Sequence, residues 1–144
     1  DPARGDIVIF DSQVSNKKLV KRVVGIPGDT IEMQDNTLLI NGEKLSYLDI
    51  SSDGVTHDKV ENLLGIEHLV RVKTPGSALS SFYPVRVPED VYLALGDNRD
   101  NSSDSRVIGF VPRNEIVGRS KSVVMSFNYD NYYIPRPNRF FHTL

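Results

Sequence analysis

A mainly β fold is what this sequence predicts, and three observations carry the prediction. Short apolar runs rich in β-branched residues recur along the whole chain, from Ile7-Val8-Ile9-Phe10 to Ile116-Val117. Turn-forming residues interrupt those runs at close spacing, as in Pro27-Gly28-Asp29, Asn41-Gly42 and Thr74-Pro75-Gly76. Helical periodicity is weak: only Asp58 to Leu69 has some helical character, and Gly65 undermines it. Many short strands with turns between them imply antiparallel strands in small, coiled sheets. At 144 residues the chain is read as one domain over 1–144, large enough for a real core. A small inserted lobe is expected over about residues 45 to 85.

The elements follow in order. Ile7 to Phe10 is a short apolar strand, Asp11 to Lys18 a polar connection, and Leu19 to Val24 a second strand. Proline removes a donor and glycine permits a turn, so Pro27-Gly28-Asp29 ends that strand. Thr30 to Met33, Thr37 to Ile40 and Glu43 to Leu45 form a meander, with Asn41-Gly42 its strongest hairpin signal. His68 to Lys73 alternates as a strand does, Ser77 to Ser81 is a loop, and Val85 to Pro88 is extended. Val91 to Leu95 and Val107 to Val111 read as buried strands flanking a polar loop. A final hairpin is expected to run from Phe110-Val111 through Ile116 to Arg119 and on to Ser122–Met125. The tail from Asn128 is rich in tyrosine, asparagine and proline and is expected to wrap the surface. Phe82-Tyr83 and Phe140-Phe141 are candidate interfacial anchors, although packing is the commoner fate of such pairs.

Composition excludes several function classes. Hydrophobic and charged contents of 39% and 25% are ordinary for a globular chain. A formal net charge of -2 argues against a nucleic-acid surface, so no nucleic-acid partner is expected. Without cysteine there is no disulfide and no thiolate metal site. No apolar run approaches the roughly 18 residues of a membrane span, and no signal-peptide pattern is present. The first residue is Asp1 rather than methionine, which reads as a fragment or a processed form.

The most informative stretch is Gly96-Asp97-Asn98-Arg99-Asp100-Asn101-Ser102-Ser103-Asp104-Ser105-Arg106, eleven residues without an apolar side chain. Short hydroxyl, amide and carboxylate groups fold back on their own backbone, and two arginines can clamp carboxylates. A calcium loop of EF-hand type needs glycine at its sixth position and glutamate at its twelfth. Counting from Asp97 gives Ser102 and Ile108, and counting from Asp100 gives Ser105 and Val111, so both registers fail. His57, His68 and His142 are scattered without ligand spacing, and His68 reads as a strand residue. Arg4-Gly5-Asp6 is an adhesion-type tripeptide, but it leads straight into a strand.

Lys21 is the second informative residue. With a period of two, Leu19, Lys21 and Val23 share one face, and Val20, Arg22 and Val24 the other. Both faces are mostly apolar, so Lys21 is expected to lose water. A lysine in water titrates near ~10.4. Burial disfavours the ammonium and can lower that value by up to about 5, leaving an amine able to take a proton from a serine. The plainer reading is a lysine that extends its ammonium to the surface along an aliphatic stem. Arg22 cannot be the base, because a guanidinium stays charged.

Taken together, Arg4-Gly5-Asp6-Ile7-Val8-Ile9-Phe10, Leu19-Val20-Lys21-Arg22-Val23-Val24-Gly25-Ile26-Pro27-Gly28-Asp29 and Gly96 to Arg106 with Gly109-Phe110-Val111-Pro112 resemble the catalytic domain of bacterial type I signal peptidases. The resemblance anchors both ends of the chain and leaves about residues 45 to 85 uncovered. It implies the coiled-sheet fold that such peptidases share with self-cleaving repressors, and a Ser/Lys serine protease that removes signal peptides from exported preproteins. On that likeness Lys21 would be the general base and Ser102 the hydroxyl that orients it. Arg22, Asp97, Asp104 and Arg106 would hold the site in shape, and Ile9, Leu19 and Val20 would line shallow pockets for small substrate side chains. A peptide would add as a strand along the edge there. The likeness implies no metal and no cofactor. It also implies a bacterial inner-membrane enzyme, anchored by helices upstream, with its catalytic domain facing the periplasm or the cell exterior.

One part of the pattern is absent. In such peptidases the nucleophile is a serine in a Ser-Met-x-Pro type segment ahead of the Arg-Gly-Asp-Ile-Val segment. Asp1 to Arg4 does not supply it, so these 144 residues are expected to carry the base without the attacking group and to be inactive alone. Two other classes stay open: another Ser/Lys peptidase, such as a self-cleaving repressor or a conjugation maturation protease, and a non-catalytic peptide-binding homologue.

Overall fold

The apolar run at Ile7 seeds a hairpin that forms the centre of the largest sheet in a computed structural model describing residues 1–120. In chain order the strands are β1 Ile7–Ser12, β2 Lys17–Gly25, β3 Thr30–Gln34, β4 Thr37–Ile40, β5 Glu43–Lys44 and β6 Ser46–Ser52. They continue as β7 Thr56–Leu63, β8 Ile66–Lys73, β9 Phe82–Arg86, β10 Val91–Leu95, β11 Val111–Pro112 and β12 Ile116–Ser120. One short helix, α1, spans Ser105–Ile108. Three antiparallel sheets result, ordered β11-β10-β2-β1-β12, β5-β4-β3-β9 and β6-β7-β8. The mainly β expectation therefore holds.

Turn chemistry sets the meander. Asn41 and Gly42 take φ of 53° and 84°, the left-handed pair that a tight hairpin requires, and the Asn41 Oδ1 accepts from Thr30 N at 2.8 Å. The weakly helical stretch 58–69 is instead the β7–β8 hairpin, turned at Leu64-Gly65, where Gly65 has φ of 104°. Its period of two is hard to read because inward positions hold Glu61 and His68 among Leu63, Val70 and Val72. Strand β6 was not expected at all; its residues are mostly exposed, and pairing with β7 from Ser46↔Asn62 to Ser52↔His57 holds it.

Two expectations fail. Val107 to Val111 is not a buried strand: α1 occupies Ser105–Ile108, Val107 is 59% exposed, and only Val111–Pro112 is extended. The cause is a cap, since Asp104 accepts from the Arg106 backbone N–H and starts a helical turn. The first half of the final hairpin, from Phe110-Val111 to Ile116–Arg119, also fails, because β11 pairs with β10 and β12 with β1, at opposite edges of one sheet. A 3-10 turn over Arg113–Glu115 carries the chain between them. Ser122–Met125, the tail from Asn128, Phe140-Phe141 and His142 lie outside the described residues.

The β1–β2–β10 layer buries both faces. Val24, Leu93 and Leu95 join Ile31, Met33, Leu38, Ile40 and Leu63 in one core. Val8, Phe10, Leu19, Val23, Tyr92 and Ala94 form a second. Phe82 packs against the first core, whereas Tyr83 is 92% exposed.

Candidate active site

Lys21 sits mid-strand in β2, where Leu19 to Gly25 are all buried. Register with β1 pairs Val8 with Lys21, Phe10 with Leu19, Ile9 with Val20 and Ile7 with Arg22. Cross-strand partners share a face, so Lys21 lies among Val8, Phe10 and Leu19, while Arg22 projects on the other side. Lys21 is completely buried, and its Nζ donates to Ser102 Oγ at 2.9 Å across 81 residues of sequence. The strand lysine and the loop serine are thus brought together.

The loop that delivers Ser102 exposes Asn101 and Ser103 but buries most of its charged groups. Asp97, Arg99 and Asp104 are all within 1% of full burial. Such groups are tolerable only when paired and hydrogen-bonded, and each is. Asp97 receives Arg22 Nε at 3.0 Å and Nη2 at 2.9 Å, and Arg22 Nη1 also donates to Gly5 O. Asp104 receives Arg106 Nε at 2.9 Å and Nη2 at 2.7 Å, and takes Gly96 N at 2.9 Å. Arg99 forks onto Glu61 through Nη1 at 2.9 Å and Nη2 at 2.8 Å. Asp100 accepts Lys73 N, Ser77 N and Asn36 Nδ2. Burial opposes ionisation of Asp100, but the backbone donors Ser77 and Lys73 outweigh it and hold its carboxyl below the usual range.

Four of the expected site-shaping residues, Arg22, Asp97, Asp104 and Arg106, therefore form two ion pairs on either side of Ser102. Ile9, Leu19 and Val20 are also buried, at 0%, 5% and 1% exposure. Ile9 and Val20 oppose each other on one face, whereas Leu19 lies on the other face with Val8 and Phe10. The backbone of Val23 exchanges hydrogen bonds with Gly5 and Asp6, on the β1 side. On the opposite side β10 covers β2 only from Arg22 to Gly25, so no described strand flanks Lys17 to Lys21 there.

Sequence reasoning missed Glu61 and Tyr47, and it read His68 only as the strand residue that it is. Glu61 is fully buried opposite His68, whose Nε2 lies 2.8 Å from Glu61 Oε1, and the Tyr47 hydroxyl donates to Glu61 Oε2. Burial opposes the Glu61 charge most strongly; the Arg99 charge and the His68 and Arg99 hydrogen bonds prevail and hold its carboxyl well below the usual range. Burial, then the Glu61 charge, pushes the Tyr47 phenol up. The signal for them was an ionisable residue at an inward strand position, legible only once the register is known. His57 lies between Ser52 and Thr74 hydroxyls. Among the described residues no group of three or more His, Asp or Glu could hold a metal, and no helix is long and apolar enough to cross a membrane. Arg4-Gly5-Asp6 is not presented to solvent: Gly5 and Asp6 are buried, and Asp6 takes Ala3 N and Arg119 Nη1.

The chain is 43% identical over 126 residues to signal peptidase I of Bacillus licheniformis, across 87% of this chain and 60% of that protein. It is 40% identical over 126 residues to signal peptidase I T of Bacillus subtilis (strain 168), across 87% of this chain and 58% of that one. It thus spans about 60% of the length of these curated relatives. The crystal structure of a signal peptidase I from Enterococcus faecalis superposes with a TM-score of 0.50 at 29% identity, covering 81% of this chain and 93% of that one. The family model described as signal peptidase, peptidase S26, matches residues 1–125, and the chain belongs to that family.

Proposed function

We propose that this chain is a single catalytic domain of a type I signal peptidase, with the three-stranded sheet β6-β7-β8 as its inserted lobe. It would cleave exported preproteins after small residues. The observation that carries the reading is the contact between the buried Lys21 amine and Ser102 Oγ at 2.9 Å. Complete burial penalises the ammonium form, and a neutral amine can accept a proton from a serine hydroxyl.

The attacking group is a serine outside these 144 residues, carried by the rest of a protein whose curated relatives are longer than this chain. Its Oγ attacks the scissile carbonyl while Lys21 Nζ takes the proton. Collapse of the tetrahedral adduct expels the new amine, which takes that proton back, and leaves an acyl-enzyme. Water then gives a proton to Lys21 Nζ as it attacks the acyl carbon, and the serine Oγ leaves with that proton, releasing the signal peptide. Ser102 accepts from Lys21 and aims its lone pair. Arg22 with Asp97, and Arg106 with Asp104, keep β2 and the loop in register. The substrate adds as a strand beside Lys17 to Lys21, the length that β10 leaves uncovered, so that its alternating small side chains meet Ile9 and Val20 on one face and Leu19 on the other. The chemistry needs no cofactor or metal. The whole protein is read as anchored in a bacterial inner membrane, with this domain facing the periplasm or the cell exterior.

The test is preprotein cleavage by the full-length protein with Lys21→Ala and Lys21→Arg. Both should abolish turnover equally, because arginine keeps the charge but cannot be the base. Retained activity in Lys21→Arg would remove Lys21 from the chemistry. The 144-residue domain alone should not cleave, and Lys21-dependent cleavage by it would place the nucleophile within this chain.

A further inference from the structure

Resting on that reading, we infer that Glu61 and His68, from the three-stranded sheet, are positioning residues for the Lys21–Ser102 pair. The sheet docks on the loop just ahead of Ser102. Arg71 N donates to Asp97 O at 2.8 Å, and Lys73 N donates to the Asp100 carboxylate at 2.7 Å. Between these contacts Glu61 fixes Arg99, whose Nε also donates to Gly96 O at 2.9 Å. Arg99 opens the 3-10 turn Arg99–Asn101, and Ser102 is the residue that ends it.

His68 ties this anchor to the other half of the site. Its Nε2 faces Glu61 Oε1 at 2.8 Å, and its Nδ1 lies 3.5 Å from Asp97 Oδ1. Asp97 in turn holds Arg22, the residue after Lys21. Buried groups therefore run from the serine's turn to the lysine's strand: Arg99–Glu61–His68 through hydrogen bonds, then a 3.5 Å approach of His68 Nδ1, which also faces Leu69 O at 3.2 Å, to Asp97, and the Asp97–Arg22 pair. The far side of the loop is held differently, by Asp104 on Gly96 N and by Ser105 Oγ on Ala94 N. Ser102 lies between the two anchorages, so loss of the Glu61 anchorage leaves the near side held only by the contacts of Asp100 and Asp97, without the buried Arg99 fork that sets the turn. Glu61 and His68 make no hydrogen bond to Lys21 Nζ and act through Arg99 and Asp97.

The experiment uses Glu61→Gln and His68→Phe in the full-length protein, with cleavage kinetics, and the same variants in the 144-residue chain, with hydrogen exchange. A misplacement near 1 Å costs about 100-fold, so kcat should fall by roughly that factor while KM stays within about threefold. Amides of 97–102 should exchange about tenfold faster, with β3 and β4 unchanged. Glu61→Leu combined with Arg99→Met removes both buried charges and should recover stability. A purely structural role predicts that activity returns with it; positioning predicts that kcat stays low. Recovery of kcat in the double variant, or unchanged kcat and loop exchange in a folded His68→Phe, would overturn the inference. The exchange arm needs no activity. A wild-type protein that cleaves nothing would therefore sink the proposed function while the loop amides still decide this point.

Discussion

Replacing Asp104 with asparagine removes one charge with almost no change of shape. Four N–H donors converge on the Asp104 carboxylate: Gly96 N at 2.9 Å and Arg106 Nη2 at 2.7 Å on Oδ2, Arg106 N at 3.1 Å and Nε at 2.9 Å on Oδ1. Asparagine offers one acceptor oxygen and an amide that is itself a donor. Whichever way it is turned, two of the four donors face an NH2 group, and one of those two belongs to the guanidinium. At about 1.5–3 kcal/mol for each bond to a charged group, two losses amount to about 3–6 kcal/mol. Breaking a buried pair by removing one partner gives a similar figure, about 3–5 kcal/mol. The Asp104 and Arg106 side chains are 0% and 4% exposed, so solvent offers little relief. Against a typical total of about 5–15 kcal/mol that is a large fraction. Urea unfolding of Asp104→Asn, followed by circular dichroism, should move the midpoint down accordingly at unchanged slope. A loss below about 1 kcal/mol would refute the claim that this pair organises the loop.

Acid should destabilise the fold through carboxylates held low. Glu61, Asp100 and Asp58 all titrate below their ordinary values in the folded chain. Their stabilisation is complete above their unfolded values, about pH 4, and is lost as pH falls through the folded ones. Urea midpoints measured from about pH 7 to pH 3 should fall steeply in wild type and less steeply in Glu61→Gln; parallel curves would contradict the Glu61 contribution. Gly25→Ala tests packing where β2 ends: a Cβ there would lie 2.8 Å from Ile31 Cγ1 and 3.0 Å from Val87 Cγ2. Overpacking of that kind costs about 1–3 kcal/mol, read as a lower urea midpoint, and an unchanged midpoint would mean that Ile31 and Val87 yield freely.

Much of the architecture could be read from residue pattern because its causes are local. Asn41-Gly42 turns where Asn-Gly should, and the β-branched run at Leu19 to Val24 is a strand buried on both faces. Lys21 and Ser102 were nominated by resemblance, and the fold brings them to 2.9 Å. What escaped depends on partners distant in sequence. Val107 and Ile108 have a strand's composition, but the Asp104 cap turns them into a helix. Strand β6 exists because β7 pairs with it, not because Ser46 to Ser52 favours extension. Glu61 breaks the apolar alternation of β7 because an arginine 38 residues later neutralises it inside the protein.

On the proposed mechanism Lys21 is held as a neutral amine beside Ser102, and its charge can be observed directly. The 144-residue chain with isotope-labelled lysine, assigned with Lys21→Arg, gives the Lys21 side-chain resonance by NMR from about pH 5 to pH 9. A neutral-amine signal is expected at pH 7, converting to ammonium only on acidification. An ammonium signal at every pH in that range would contradict the mechanism.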